Sequence, residues 1–113
     1  MADLTHTSEE LINRTAALLG KFVPGEALGA VEHDTISRCL DDVLAEIAKI
    51  VSFDRDSIPN AYFETTSRLV AIYAAADFSN TPLDLGAVEQ HEQRLRYLIA
   101  QTPTYEILRT NYF

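Results

Sequence analysis

Residues 58–78, IPNAYFETTSRLVAIYAAADF, form the longest and most apolar stretch of the chain that reads as a helix, and whatever else folds must pack around it. Ile58, Tyr62, Leu69, Tyr73 and Ala76 fall near one stripe at helical spacing, while Ala61, Val70, Ile72, Ala74 and Ala75 spread the apolar surface beyond a single face. Such a helix needs partners on several sides. Asp56 or Ser57 is placed to cap it, with Pro59 in the first turn, where a missing N–H costs nothing. The small residues Ala71, Ala74, Ala75 and Ala76 allow close approach of neighbours, so the stretch is expected as the central helix of a small bundle.

The remaining helices follow from caps and periodicity. Thr7 with Glu10 is a capping-box pattern, and Leu11, Ile12, Thr15, Ala16, Leu18 and Leu19 then give an amphipathic helix over 8–19 that Gly20 stops. The first six residues look loose. Residues 21–30, with Pro24, Gly25 and Gly29, read as a loop. Over 34–51, Ile36, Leu40, Val43, Leu44, Ile47, Ile50 and Val51 hold the i, i+3, i+4, i+7 period, and Arg38, Asp41, Asp42, Glu46 and Lys49 coat the other face. SFDRDS, residues 52–57, is a short polar turn into the central helix, plugged by Phe53. Thr81 with Asp84 again resembles a capping box, and Pro82 takes the first position of a helix over 83–100. That helix sets Leu85, Val88, Leu95, Leu98 and Ile99 against a polar run through Glu89, Gln90, His91, Glu92, Gln93, Arg94 and Arg96.

The expected fold is therefore all-α: a small four-helix bundle over residues 1–101, followed by an extended arm over 102–113. After Pro103 the arm mixes Tyr105, Ile107, Leu108, Tyr112 and Phe113 with polar residues at no sustained period. Chain ends are normally polar and frayed. An apolar-rich one is expected to dock, either back on its own bundle or on another subunit or partner.

Composition removes several function classes. A chain of 113 residues, 47% hydrophobic and 23% charged, is one ordinary globular domain. Its formal charge of −8 is spread along the sequence and argues against tight sequence-independent DNA binding, which depends on Lys and Arg neutralising phosphates. No apolar run approaches the roughly 20 residues of a membrane span, and the N-terminal sequence lacks the basic and apolar regions of a signal peptide, so a soluble protein made in the cytoplasm is expected.

Residues with chemistry are scattered. Cys39 lies in line with the apolar positions of its helix and reads as a buried, inert thiol. His6, His33 and His91 are far apart and lack H-x-x-x-H or H-E-x-x-H spacing, so they read as surface histidines rather than metal ligands. The adjacent acids Glu9 and Glu10, and Asp41 and Asp42, point about 100° apart on a helix and read as exposed charge. Arg68, alone in apolar sequence, snorkels to solvent or pairs with Glu64 at i−4. There is no phosphate-cradling Gly-rich loop, Gly-x-Ser-x-Gly or Cys-x-x-Cys. With no catalytic, cofactor-binding or metal-ligating set, the chain reads as an interaction module and not an enzyme.

The order of these segments resembles a known group, the small helical head-to-tail adaptor (head completion or connector) proteins of tailed bacteriophages, above all podovirus-type phages, and of related gene-transfer particles. The likeness is carried by LINRTAALLG (11–20), DDVLAEIAKI (41–50), the 58–78 segment, and the pairing of RLRYL (94–98) with an arm ending in NYF (111–113), and it spans most of the chain. The resemblance implies a virion structural protein at the head–tail junction, made in the bacterial host cytoplasm. There it forms a ring homo-oligomer, usually of twelve copies, beneath the portal protein. The ring extends the DNA channel and joins the packaged capsid to tail or nozzle proteins. DNA passes without specific binding, and neither a cofactor nor a membrane takes part. Tyr105, Ile107, Leu108, Tyr112 and Phe113 would then dock on the portal or a neighbouring subunit. The acidic balance suits a channel lining that repels the DNA backbone and lets it slide. The chain lacks the extra loops of longer members, which leaves joining as its main task. The alternative is a small dimeric helical regulatory or host-interaction module that associates through the 58–78 helix, for which the arm is dispensable.

Overall fold

The Thr7 side chain accepts a hydrogen bond from the Glu10 N–H, and the Glu10 carboxylate accepts one from the Thr7 N–H, so the capping box is complete. It opens α1 (Ser8–Leu18), which buries Leu11, Ile12, Thr15 and Ala16. The helix ends where Gly20 turns to φ +73°, as the sequence predicts. The Gly20 N–H reaches the Ala17 carbonyl at 3.1 Å and the Lys21 N–H reaches that of Ala16 at 2.8 Å, which satisfies the last carbonyls by the Schellman pattern. The structure, a computed structural model, describes residues 4–21 and 28–101.

The second helix, α2 (Ala30–Ile47), begins ahead of the expected 34, with Gly29 at the N-cap. Its first turn makes little burial, with Val31 73% exposed, so the apolar period does not report it. At the other end the period continues to Val51 although the helix stops at Ile47. The N–H groups of Ile50 and Val51 both return to the Ile47 carbonyl, at 2.8 and 2.9 Å, in a turn that still presents both side chains to the core.

Two expectations at the start of the central helix are corrected. Thr5–His6 (β1) pairs antiparallel with Ile58–Pro59 (β2), Thr5 opposite Pro59 and His6 opposite Ile58, and the Asn60 N–H donates to the Leu4 carbonyl at 3.0 Å. The segment from Leu4 onward is thus tied down, not loose. The central helix α3 (Asn60–Ser79) starts later than 58, with Pro59 at its N-cap position. Asp56 serves a different helix from the one expected. Its carboxylate accepts from the Ser8 hydroxyl at 2.6 Å and the Ser8 N–H at 3.4 Å, at the positive end of the α1 dipole.

As expected of a central element, α3 packs against α1, α2 and α4, and α1 also packs against α2. Its fully buried positions include Thr65, Thr66 and Ser67 besides Leu69, Val70 and Ala74, whereas Tyr62, Tyr73 and Ala76 of the expected stripe are half-buried. Small residues mark the crossing with α1, where the Thr15 hydroxyl donates to the Ser67 carbonyl at 3.4 Å. The helix closes at Asn80, in the left-handed region at φ 51°, with the Thr81 N–H bonded to the Ala76 carbonyl.

Thr81, spent on closing α3, does not cap the next helix. Asp84 caps α4 (Leu85–Gln101), its carboxylate accepting from the Ala87 N–H at 3.1 Å and its carbonyl from the Val88 N–H at 3.1 Å. Pro82 therefore lies in the connection, not in the first turn. The protein is mostly helical, with one small two-stranded sheet among the described residues, in keeping with the all-α expectation. The core residues of the described chain run from Leu11 to Leu95, and through Ile36, Leu40, Val43, Ile47, Ile58 and Leu69 they form one cluster. Among the described residues no helix is long and apolar enough to cross a membrane.

Candidate functional site

Several charged side chains tie separate elements of the fold together. His6 stands between two acceptors, the Glu10 carboxylate 3.0 Å from Nδ1 and the Asn60 side-chain oxygen 2.8 Å from Nε2, and its ring stacks on Phe63 at 4.0 Å. Both ring nitrogens can donate only in the imidazolium, so the Asn60 and Glu10 hydrogen bonds raise the His6 pKa against a smaller desolvation effect. Glu9, next in sequence to Glu10, turns to a different histidine, His33 of α2, at 2.7 Å.

The His6 clasp gives a pH dependence of defined sign. Its contribution to stability is fully present below the ordinary value of 6.5 and is lost as pH rises through the higher folded value. The gap in thermal midpoint between the native chain and His6→Ala is expected to be widest near about pH 5.5 and to narrow toward about pH 8.5. Melts across that range check it, and a gap that widens with pH would show that the ring is not held as imidazolium.

Glu64 is the second junction. Arg14 of α1 grips it through Nε and Nη2, at 2.9 and 2.8 Å, and Arg68 one turn along α3 adds a bond at 3.1 Å. The Arg68 pairing at i−4 matches the sequence expectation. Arg14 was invisible to it, because the two residues are brought together only by the α1–α3 packing. The Arg14 bonds lead in holding the Glu64 carboxyl below its usual range. Arg55 closes the 52–57 turn in the same manner, on Asp41 at 2.6 Å and Ser37 at 2.9 Å. Inside that turn Phe53 packs against the core and stacks on Tyr62.

The thiol of Cys39 is 2% exposed, and its Sγ lies 3.4 Å from an Asp77 oxygen. Burial, then the Asp77 carboxylate, pushes its pKa up to about 12, so at neutral pH it stays protonated and is a poor nucleophile. Among the described residues no group of three or more His, Cys, Asp or Glu side chains is placed to hold a metal ion.

Among the described residues a furrow of about 480 Å³ lies between the end of α2, with the turn that follows it, and the outer flank of α4. Tyr73 of α3 and Val88 of α4 form its apolar part, with Glu46 and Lys49 on one wall and Leu85 and Glu89 on the other. The walls meet where Lys49 Nζ approaches Glu92 at 3.5 Å. The Tyr73 hydroxyl has a raised pKa, through burial first and then through Glu46 and Glu92. Leu85 is 70% exposed because the Asp84 cap places it in the first turn, at the lip of the furrow. Periodicity put Leu85 with the core positions of its helix, and only the packing shows that it is left outside.

The residues expected to dock, Tyr105, Ile107, Leu108, Tyr112 and Phe113, lie outside the described residues, as does the rest of the arm over 102–113. The chain matches no protein-family model, and neither a curated protein nor a solved structure is significantly similar to it.

Proposed function

We propose that the protein is a head-to-tail adaptor of a tailed phage or related particle. In this reading the helices form a four-helix bundle that repeats as a ring under the portal, and residues 102–113 dock on the portal or on the neighbouring copy. The observation that carries it is the division of labour along the chain. Among the described residues the core cluster spans Leu11 to Leu95, and the sequence adds beyond them an apolar-rich stretch, Tyr105, Ile107, Leu108, Tyr112 and Phe113, which this reading assigns to a partner. A segment that orders on binding couples attachment to the presence of that partner, which suits a part that must join only after packaging. One modest heterologous contact repeated by cyclic symmetry then holds where a single one would not.

The alternative, a dimer built through α3, loses ground because α3 already packs against α1, α2 and α4. Native mass spectrometry of the protein with the portal ring from the same genome tests the adaptor reading. Full-length chain is expected to add as a closed ring of copies, and a chain ending at Gln101 to add none. Absence of any association, with a stable dimer of the protein alone, would sink the adaptor reading in favour of the dimeric module.

A further inference from the structure

We propose that the furrow between α2 and α4 is the resting seat of this chain's own residues 102–113. The furrow has what an amphipathic segment requires: an apolar floor in Tyr73 and Val88, a leucine at its lip, and charged rims on both helices. An exposed leucine alone is ordinary. Leu85 differs in that it continues an apolar floor already sunk between two helices.

Reach favours the same chain. The furrow runs along α4 from Leu85 to Arg96, and Gln101 ends that helix. At about 1.5 Å per residue, Glu92 in the middle of the furrow lies about 14 Å back along the helix from Gln101. The twelve residues beyond Gln101 allow a reversal, which Pro103 favours, and a return: eight extended residues, Glu106 to Phe113, span about 26 Å, enough to pass the about 24 Å from Gln101 back to Leu85.

Chemistry and concentration point the same way. Tyr105, Ile107, Leu108 and Tyr112 supply apolar groups for the floor, while Glu106 and Arg109 leave the segment charge-balanced. Glu46, Glu89 and Glu92 outnumber Lys49 and Arg96 in the furrow, so a neutral segment enters where the surface of a second copy, with formal charge −8, is repelled. Covalent attachment adds an effective concentration in the millimolar range, which a second copy does not reach in dilute solution. While seated, the segment is withheld from other partners, and a partner that takes it must displace it first. The inference stands apart from the adaptor reading. Where both hold, the furrow is where the arm waits before the portal takes it.

Methyl and aromatic NMR of the full chain and of a chain ending at Gln101 tests this. The shorter chain keeps every core residue from Leu11 to Leu95, and its helical circular dichroism serves as the folding control. The Leu85 and Val88 methyls and the Tyr73 ring are expected to differ between the two chains by an amount independent of protein concentration. A peptide of residues 102–113 added to the shorter chain is expected to return them toward their full-length positions. In the folded Leu85→Lys variant of that chain the peptide is expected to bind at least about tenfold more weakly. Unchanged furrow resonances, or peptide shifts confined to another surface, would overturn the seat. Differences that grow with protein concentration would overturn the same-chain occupant in favour of a second copy. None of these readouts depends on whether a portal ring binds, so the seat and the adaptor reading fail separately.

Discussion

Leu69→Ala is expected to destabilise the protein by about 2–5 kcal/mol, measured by chemical denaturation. Leu69 lies fully buried at the middle of α3, the helix that all the others contact. Removing its branched end takes apolar contacts from a site enclosed by several elements, so the surroundings cannot collapse from one side to fill the space. A truncation at Val31, which is 73% exposed, is expected to change stability by no more than about 0.5 kcal/mol. If the two cost the same, α3 is not the centre of the core.

Thr66→Val is expected to stabilise the protein by about 1–3 kcal/mol, an unusual sign for a substitution in a buried position. Thr66 is 0% exposed, and among the described residues its Oγ1 has no hydrogen-bond partner. The hydroxyl has lost water and received nothing in exchange, and a methyl of nearly the same shape removes that penalty. Both side chains are β-branched, so helix propensity hardly enters. Thr15, buried on the facing helix, is the matched control, because its hydroxyl donates to the Ser67 carbonyl and Thr15→Val gives up that bond. Thermal melts of the two variants should move in opposite directions or leave Thr15→Val unchanged. A loss of stability in Thr66→Val would mean that the hydroxyl is satisfied.

The presence of buried hydroxyls on α3 is also where sequence reasoning was weakest. Thr65, Thr66 and Ser67 carry no apolar signal beside Leu69 and Val70 and drew no assignment from periodicity, yet all are buried. They are small, and a close crossing with α1 selects size before polarity. Ser67 satisfies its own hydroxyl on the Phe63 carbonyl at 2.8 Å, one turn back, which no periodicity of apolar residues can reveal.

Local chemistry that acts within a few residues was legible in advance. The Thr7 to Glu10 capping box, the Gly20 stop, the burial of Cys39 and the pairing of Arg68 with Glu64 each depend on neighbours within a turn of helix or on a strong apolar period. Capping by Asp56 and Thr81 was misread for the opposite reason. Either residue is a sound cap by its type, but Asp56 meets the start of α1, and Thr81 gives only its backbone N–H, to the end of α3.

The sequence by itself thus determined the helical class, the number of long apolar segments and the central place of α3, because hydrophobic periodicity and helix punctuation are carried by near neighbours. Only the tertiary structure decided the clasp of His6 on Asn60, the grip of Arg14 on Glu64 and the furrow with Leu85 at its lip. Each joins residues from separate elements, and their meeting is set by how whole helices pack rather than by any spacing along the chain.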